Sequence, residues 1–318
     1  MYYPYLRARQ FELIALRELA QEGAANHVVP VLEPLSIRFN NLELANKVFY
    51  DNDFKPFLLV NPLEGEIKGD IQVFLKFLAE LKNSSFQIAF HFNDNKEYIE
   101  SAIEEYNLTN CMIVGLDNFT DAEQLKELCS NTSVTHIMLL DPTRNRGLHR
   151  FMKTLSDKTY IRLDDSFEKE PRNAEYLERP ARKFSEEHLY FSDEGFDGFG
   201  DFTVLPREFI DGGSAPKAVV IHFTYINETD ENNIWIRHFT SNTNDSIANV
   251  QGKFAEAAKK ATKFIDLENI TNSAALELKD YFTRHHYPGL GVVKKISIKN
   301  HLLIIEAFLN LIDNEYMR

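Results

Sequence analysis

Eight short apolar runs recur along this chain, and a stretch with helical periodicity follows most of them. The runs lie at 28–33, 56–61, 86–91, 112–117, 136–141, 160–164, 188–192 and 218–224. Near-continuous hydrophobicity is typical of strands that are covered on both faces, as in parallel sheets. The spacing of roughly 25–30 residues is that of βα units. The pattern therefore predicts an α/β protein built from repeated βα units.

Helical segments are predicted between the runs. An amphipathic helix is expected from Gln10 to Gln21, another from Asp70 to Lys82, and a third that begins near the Thr120–Glu123 capping pattern. Eight βα units most economically close into a TIM-barrel-like (β/α)8 fold, which leaves no strand edge unpaired. The alternative is an open doubly wound sheet, which usually carries a glycine-rich first turn. The first turn here, 33–36, has no glycine.

The repeat changes after the seventh run. Glycines punctuate 195–213, and the eighth run is predicted to continue as a hairpin whose return strand is 234–239. Three helices are predicted at 245–265, 273–286 and 298–312. We therefore expect a barrel domain over 1–241, with an added hairpin strand, and a C-terminal helical extension over 242–318 that packs on the barrel.

Composition limits the classes of partner. The 48 Asp and Glu residues outnumber the 35 Lys and Arg residues, giving a net charge of −13. This balance argues against broad binding to nucleic acid. Two cysteines are too few for a disulfide framework, and no apolar run is long enough to cross a bilayer. We expect a cytoplasmic protein that binds no membrane.

Polar residues follow the predicted strands, where a barrel builds its active site. Under this register the strand ends are Glu33, Asn61, His91, Asn93, Asp117, Asp141, Asp164, Asp165, Asp193, His222 and Thr224. We select Asp164, Asp193 and His222 as candidate catalytic residues. Converging carboxylates and imidazoles could hold Mg²⁺ or Mn²⁺, or act as acid and base. Alternatively, such residues begin turns and cap helices.

Five further residues are candidates for binding an anionic small molecule. Arg144 and Arg146 lie in a cation-rich loop after the fifth run, although a solvated loop has the same composition. Arg162, inside the sixth run, is expected to pair with an acidic residue of a neighbouring strand within the barrel. Arg237 and His238 lie on the return strand of the hairpin, where hydrogen-bonded core residues are also common.

Four stretches carry a resemblance to a known family. They are Tyr3–Glu18, His188–Phe202, Ile236–Ser241 and His286–His301. Together they resemble the beta-protein family, which is named after a protein of T-even bacteriophages and is scattered through phages and bacteria. The resemblance implies a role in phage biology or in a defence locus, with a protein partner encoded nearby. It transfers no catalytic residues.

Two functions follow as hypotheses. The first is a recognition or regulatory component, favoured by the absence of P-loop, zincin and nucleophile-elbow motifs. The alternative is a barrel enzyme, such as a metal-dependent hydrolase, that acts on an anionic, phosphorylated or nucleotide-like substrate. An open rim with converging carboxylates favours the enzyme, whereas a barrel mouth filled by the 195–216 loop favours binding.

Overall fold

The predicted (β/α)8 barrel is confirmed. The computed structural model describes residues 1–210, 212 and 216–316. Eight parallel strands form a nearly closed barrel in which each strand pairs with the next. They are β1 (Tyr5–Leu6), β2 (Val31–Leu32), β3 (Phe57–Leu59), β4 (Gln87–Phe92), β5 (Cys111–Gly115), β6 (Val134–Leu140), β7 (Thr159–Asp164) and β9 (Gly198–Asp201). The open-sheet alternative is therefore wrong.

The barrel closes where the first strand region meets β9. Tyr3 N donates to Phe199 O at 2.8 Å, and Phe199 N donates to Met1 O at 3.2 Å. Gly198 and Gly200 permit this approach. A Cβ at Gly200 would lie 2.2 Å from Tyr3 O, and one at Gly198 would lie 2.6 Å from the Tyr3 ring. Both distances are shorter than any van der Waals contact, so the seam requires glycine at these positions.

Two of the runs predicted as barrel strands do not belong to the barrel. The run at 188–192 lies largely in a short helix, α7 (Glu187–Tyr190), and the run at 218–224 belongs to a separate sheet. Their places in the barrel are taken by β1 and β9. These strands give weak sequence signals, because β1 has only two residues and β9 contains two glycines. Apolar content cannot separate a short buried helix from a strand.

Helices follow most of the barrel strands. They are α1 (Gln10–Gln21), α2 (Asn40–Asp51), α3 (Ile71–Glu80), α4 (Lys96–Glu105), α5 (Ala122–Cys129) and α6 (Arg146–Met152), with short 3₁₀ helices at Pro142–Arg144 and Asn173–Leu177. The predicted helices at 10–21, 70–82 and 120–129 are present. Asp70 and Asp121 cap α3 and α5 through their carboxylates.

A second, three-stranded antiparallel sheet contains the predicted hairpin. Its order is β10 (Val220–Asn227), β11 (Asn233–Thr240) and β8 (Ala181–Ser185). The C-terminal helices are α8 (Val250–Leu267), α9 (Ser273–Thr283) and α10 (Leu290–Tyr316). Helices α8 and α10 pack on this sheet, and α10 also packs on α1 of the barrel. None of the helices described combines the length and apolarity needed to cross a membrane.

The barrel interior is a packed core. Alternate residues of each strand point inward and form one buried apolar cluster, which includes Tyr5, Val31, Phe57, Leu59, Ala89, Met112, Val114, Met138, Ile161 and Leu163. On β7 the inward residues are Ile161 and Leu163, so Arg162 and Asp164 lie on the outer face. This register decides which polar residues reach the mouth of the barrel.

Candidate functional site

A hydrogen-bonded network fills the mouth of the barrel at the ends of β1 to β4. The Tyr5 hydroxyl donates to Glu33 Oε2 at 2.8 Å and lies 2.8 Å from His91 Nε2. Arg7 donates to the same Glu33 oxygen, and Leu63 N donates to Glu33 Oε1 at 2.8 Å. Glu33 and His91 are fully buried. The strand-end residues Glu33 and His91 thus contact each other but not solvent.

The Glu33 carboxylate is held in its charged form. Burial alone would raise its pKa, but the imidazole of His91, the guanidinium of Arg7 and the hydroxyl of Tyr5 outweigh burial. Together they lower the pKa of Glu33 to about 2. A buried, fully bonded carboxylate of this kind stabilises the mouth and is not poised to exchange a proton near neutral pH.

The segment after β9 lies across this mouth. The Phe202 ring packs 5.1 Å from the Tyr5 ring, measured between centroids. Arg7 Nη2 donates to Arg207 O at 2.5 Å, and the Arg207 guanidinium pairs with Asp117 at the end of β5. The segment is therefore tied to both sides of the rim. Its described part covers the β1 side of the barrel mouth, the placement that the binding hypothesis expects of the 195–216 loop.

An acidic cavity of about 440 Å³ lies beside the covered side of the mouth, at the ends of β5 to β7. It brings together the predicted residues Asp164 and Arg144. Its charged lining consists of Asp117, Asp141, Asp164, Asp165, Glu187, Arg144 and Arg207. The sequence pattern identified the four aspartates, but it could not identify Glu187, which lies immediately before the run 188–192 that was predicted to be a strand.

Two carboxyls of this cavity hold protons more tightly than usual. Burial, reinforced by the charge of Asp164, raises the pKa of Glu187 to about 7. Burial also raises the pKa of Asp164, although Arg162 opposes the shift. A carboxyl group that titrates near neutral pH can donate or accept a proton, which is the property required of a general acid or base.

Arg162 lies outside the barrel, so its predicted partner within the barrel is wrong. Its Nε donates to Asp164 Oδ2 at 2.7 Å and lies 3.1 Å from Glu187 Oε2. Its Nη1 donates to Glu194 Oε2 at 2.7 Å. Burial would lower the pKa of Arg162, but these three carboxylates raise it. Arg162 positions Asp164 and Glu187 from behind the cavity, and its guanidinium is fully engaged with them.

Asp193 and His222 do not lie at the rim, contrary to the sequence prediction. Asp193 is exposed in the turn before β9, at the opposite end of the barrel from the mouth. His222 lies in β10 of the separate sheet. Both were placed at strand ends because their runs were assigned to barrel strands. Asp164, Asp193 and His222 are therefore not brought together.

His222 and His238 form a buried pair within the second sheet. Their Nδ1 atoms lie 2.7 Å apart, and both rings contact Tyr176. Burial and the neighbouring imidazole lower the pKa of His222 to about 3. Burial and the charge of Arg182 lower the pKa of His238 to about 4. Both imidazoles are neutral at physiological pH, so the pair is a hydrogen-bonded core element.

The remaining predicted binding residues are dispersed. Arg146 is exposed at the first position of α6, outside the acidic cavity. Arg237 and His238 line a different pocket of about 440 Å³ between the 3₁₀ helix Asn173–Leu177, β11 and α8. Only Arg144 shares a cavity with a predicted catalytic residue. The proposed binding set therefore belongs to at least two separate sites.

The His, Cys, Asp and Glu side chains of the described residues do not form a metal site. Within residues 1–210, 212 and 216–316, no three His, Cys, Asp or Glu side chains are arranged so that they could hold one ion. Three carboxylates of the acidic cavity are paired with arginines: Asp164 and Glu187 with Arg162, and Asp117 with Arg207. Both cysteines are buried, and burial raises the pKa of the Cys111 thiol to about 12.

A larger cleft adjoins the mouth and shares Tyr5, Arg7 and Phe202 with it. It has a volume of about 1160 Å³ and lies between β1, the segment after β9 and the start of the C-terminal region. Its lining mixes both charge signs and includes Ile210 and Ile247, which are 50% and 58% exposed. Sequence reasoning missed this cleft, because its walls come from loops that are distant in sequence.

Comparisons with known proteins assign no family. No protein-family model matches this chain, and no curated protein matches it significantly. The resemblance to the beta-protein family therefore remains a prediction from the sequence.

Proposed function

We propose that this protein is a recognition component that binds a partner protein through the 1160 Å³ cleft. The observation that carries the proposal is the covered β1 side of the barrel mouth, where Arg7 joins the Glu33 carboxylate to the Arg207 carbonyl. Barrel enzymes act at this mouth, through groups that reach the substrate. Here the positions at the ends of β1, β2 and β4 are occupied by the chain's own bonded side chains.

The character of the cleft supports a protein partner. Its volume exceeds the range of about 300–1,000 Å³ that is usual for small-molecule sites. Exposed Ile210 and Ile247 offer apolar contact, and charged residues of both signs line the same cleft. An apolar centre with a polar rim is typical of protein interfaces. The family resemblance adds the proposal that the partner is encoded beside this gene in a phage or defence locus.

Site-directed crosslinking tests this function. A photoreactive phenylalanine analogue at Ile210 or Ile247 should crosslink one protein in the cell of origin, and mass spectrometry should identify it as a neighbouring gene product. The same analogue at Leu44, which is 54% exposed on α2, is the matched control and should give no such adduct. Equal adducts from cleft and control positions would contradict the proposal.

Binding to the purified partner provides the second measurement. Ile247→Asp places a charge in the apolar part of the cleft and should weaken binding by about tenfold or more. Leu44→Asp makes the same change at the control position and should leave the dissociation constant unchanged. Unaltered affinity in the Ile247→Asp variant would show that the partner binds elsewhere.

The acidic cavity supports a second candidate function, an acid–base hydrolase for an anionic substrate. The observation that favours it is that Glu187, whose pKa is about 7, lines the same cavity as Arg144. Glu187 would exchange the proton, and Arg144 would hold the anion. Glu187→Gln should abolish turnover of a phosphate or carboxylate ester, while Arg144→Gln should mainly raise KM. Hydrolysis that survives Glu187→Gln would exclude this role.

A further inference from the structure

One pocket of this acidic protein is lined by basic side chains and, among the described residues, by no carboxylate. It has a volume of about 440 Å³ and lies between the 3₁₀ helix Asn173–Leu177, β11 and the C-terminal half of α8. Its charged lining is Arg237, Lys260 and Lys263, and no described residue that lines it is Asp or Glu. The chain as a whole has a net charge of −13, so this local excess of positive charge favours an anionic ligand.

The three cations line the pocket from regular elements, Arg237 from β11 and both lysines from α8. The Arg237 guanidinium lies 4.9 Å from the centroid of the Phe264 ring, which fixes its orientation. Lys260 Nζ donates to Thr240 O at 2.6 Å and to Asn242 Oδ1 at 2.7 Å, so one of its three protons remains for a ligand. Lys263 is exposed one helical turn later and makes no ion pair with a described residue.

The rest of the lining is apolar and aromatic. Tyr176, Phe239 and Phe264 form the buried floor, while Leu177 and Leu267 form exposed walls. Leu267 is 74% exposed, which is a high value for a leucine beside a pocket. A flat, apolar group placed between the two leucines would cover this surface. Nucleobase pockets hold the base by stacking between aromatic or apolar side chains.

We propose that this pocket binds a phosphate ester that carries a planar aromatic ring, the chemistry of a nucleoside monophosphate. The phosphate contacts Arg237, Lys260 and Lys263, and the ring lies between Leu177 and Leu267. The pocket is separate from the partner cleft, since the two share no lining residue. A ligand in this pocket would contact both β11 and α8.

Isothermal titration of the purified full chain tests the site with three probes: inorganic phosphate, adenosine and adenosine monophosphate. We expect the nucleotide to bind most tightly, because it alone supplies both the phosphate and the ring. Inorganic phosphate that binds as tightly as the nucleotide would overturn the role of the aromatic ring. Absence of nucleotide binding, or binding of an acidic peptide in its place, would overturn the proposal as a whole.

Variants locate the site. Lys263→Gln and Arg237→Gln should each weaken nucleotide binding by about tenfold, the loss expected for one charge-assisted contact. Lys259→Gln is the matched control, because Lys259 is exposed on the same helix but does not line the pocket. Lys263 is exposed, so its variant is expected to fold normally, which a thermal melt checks. Affinity that is unchanged in Lys263→Gln and Arg237→Gln would place the ligand elsewhere.

Discussion

The guanidinium of Arg7, at the end of β1, pairs with the buried carboxylate of Glu33, at the end of the neighbouring β2. Arg7→Met would leave that carboxylate buried without its charged partner, which costs about 3–5 kcal/mol of unfolding free energy. Urea unfolding measures the loss. Arg9→Met is the control, because the Arg9 side chain is exposed, lies over the Phe209 ring and forms no ion pair with a described residue, while its backbone contacts to Glu12 and Leu13 survive the substitution. It should cost less than about 1 kcal/mol.

The same pair predicts a loss of stability in acid. The folded pKa of Glu33 is about 2, below its ordinary value of 4.5. The unfolded chain therefore takes up the proton first, and the stabilisation is lost as pH falls from about 4.5 to about 2. Unfolding free energies measured across this interval should decline in the natural protein. Glu33→Gln should flatten the decline, and an unchanged slope would mean that other carboxylates cause it.

Glu187 predicts the opposite dependence on pH. Its folded pKa of about 7 exceeds the ordinary value of 4.5, so the folded protein holds the proton over that interval while the unfolded chain releases it. Stability should therefore fall as pH rises from about 4.5 to about 7. Glu187→Gln should remove this fall and unfold at higher urea than the natural protein at pH 8. Glu194→Gln, at the more exposed partner of Arg162, should leave the slope in place.

The barrel seam predicts a steric limit at Gly200. A methyl group there would lie 2.2 Å from Tyr3 O, so Gly200→Ala must displace backbone and should cost at least about 2 kcal/mol. Hydrogen exchange of the Tyr3 and Phe199 amides should accelerate. Gly147→Ala, whose nearest contact is 3.8 Å, lies in α6 and should be neutral or slightly stabilising. Equal effects of the two substitutions would contradict the seam geometry.

The contact between α1 and α10 predicts a buried ionic contribution to stability. Lys299 Nζ donates to Glu18 at 2.8 Å and to Glu22 at 2.6 Å, and its side chain is only 4% exposed. Lys299→Met should cost about 1–3 kcal/mol, because both carboxylates lose a charged hydrogen-bond donor but stay partly solvated, and Glu18 keeps Lys295. Lys279→Met breaks an exposed pair with Asp266 and should cost less than about 1 kcal/mol. Urea unfolding distinguishes the two.

Hydrophobic periodicity predicted most of the fold. The runs that contain β2 to β7 are apolar because helices cover one face of each strand and the barrel core covers the other, so the pattern identifies them directly. The two errors arise where this relation fails. In β9, the close approach of Tyr3 requires Gly198 and Gly200, which removes the apolar signal. In α7, a single turn of helix buries His188, so its composition matches that of a strand.

The candidate site was predicted only in part, because position in the barrel decides the role of each residue. Asp164 and Arg144 reach one cavity, since β7 and the segment after β6 end at the same rim. Asp193 follows, and His222 lies within, apolar runs that are not barrel strands. Asp193 lies in the turn before β9 and His222 lies in β10 of the second sheet, so neither reaches the rim. Glu187 gives no sequence signal, because its raised pKa depends on burial beside Asp164.

The seam between Tyr3 and Phe199 joins residues almost two hundred positions apart, so it has consequences for biosynthesis. At roughly 5–20 residues per second, a ribosome needs about 10–40 seconds between making the two sides of the barrel. During that time the nascent sheet has unpaired edges at both ends, and such edges invite aggregation. Productive folding in the cell should therefore depend on chaperones that shield the growing chain until its last barrel strand emerges.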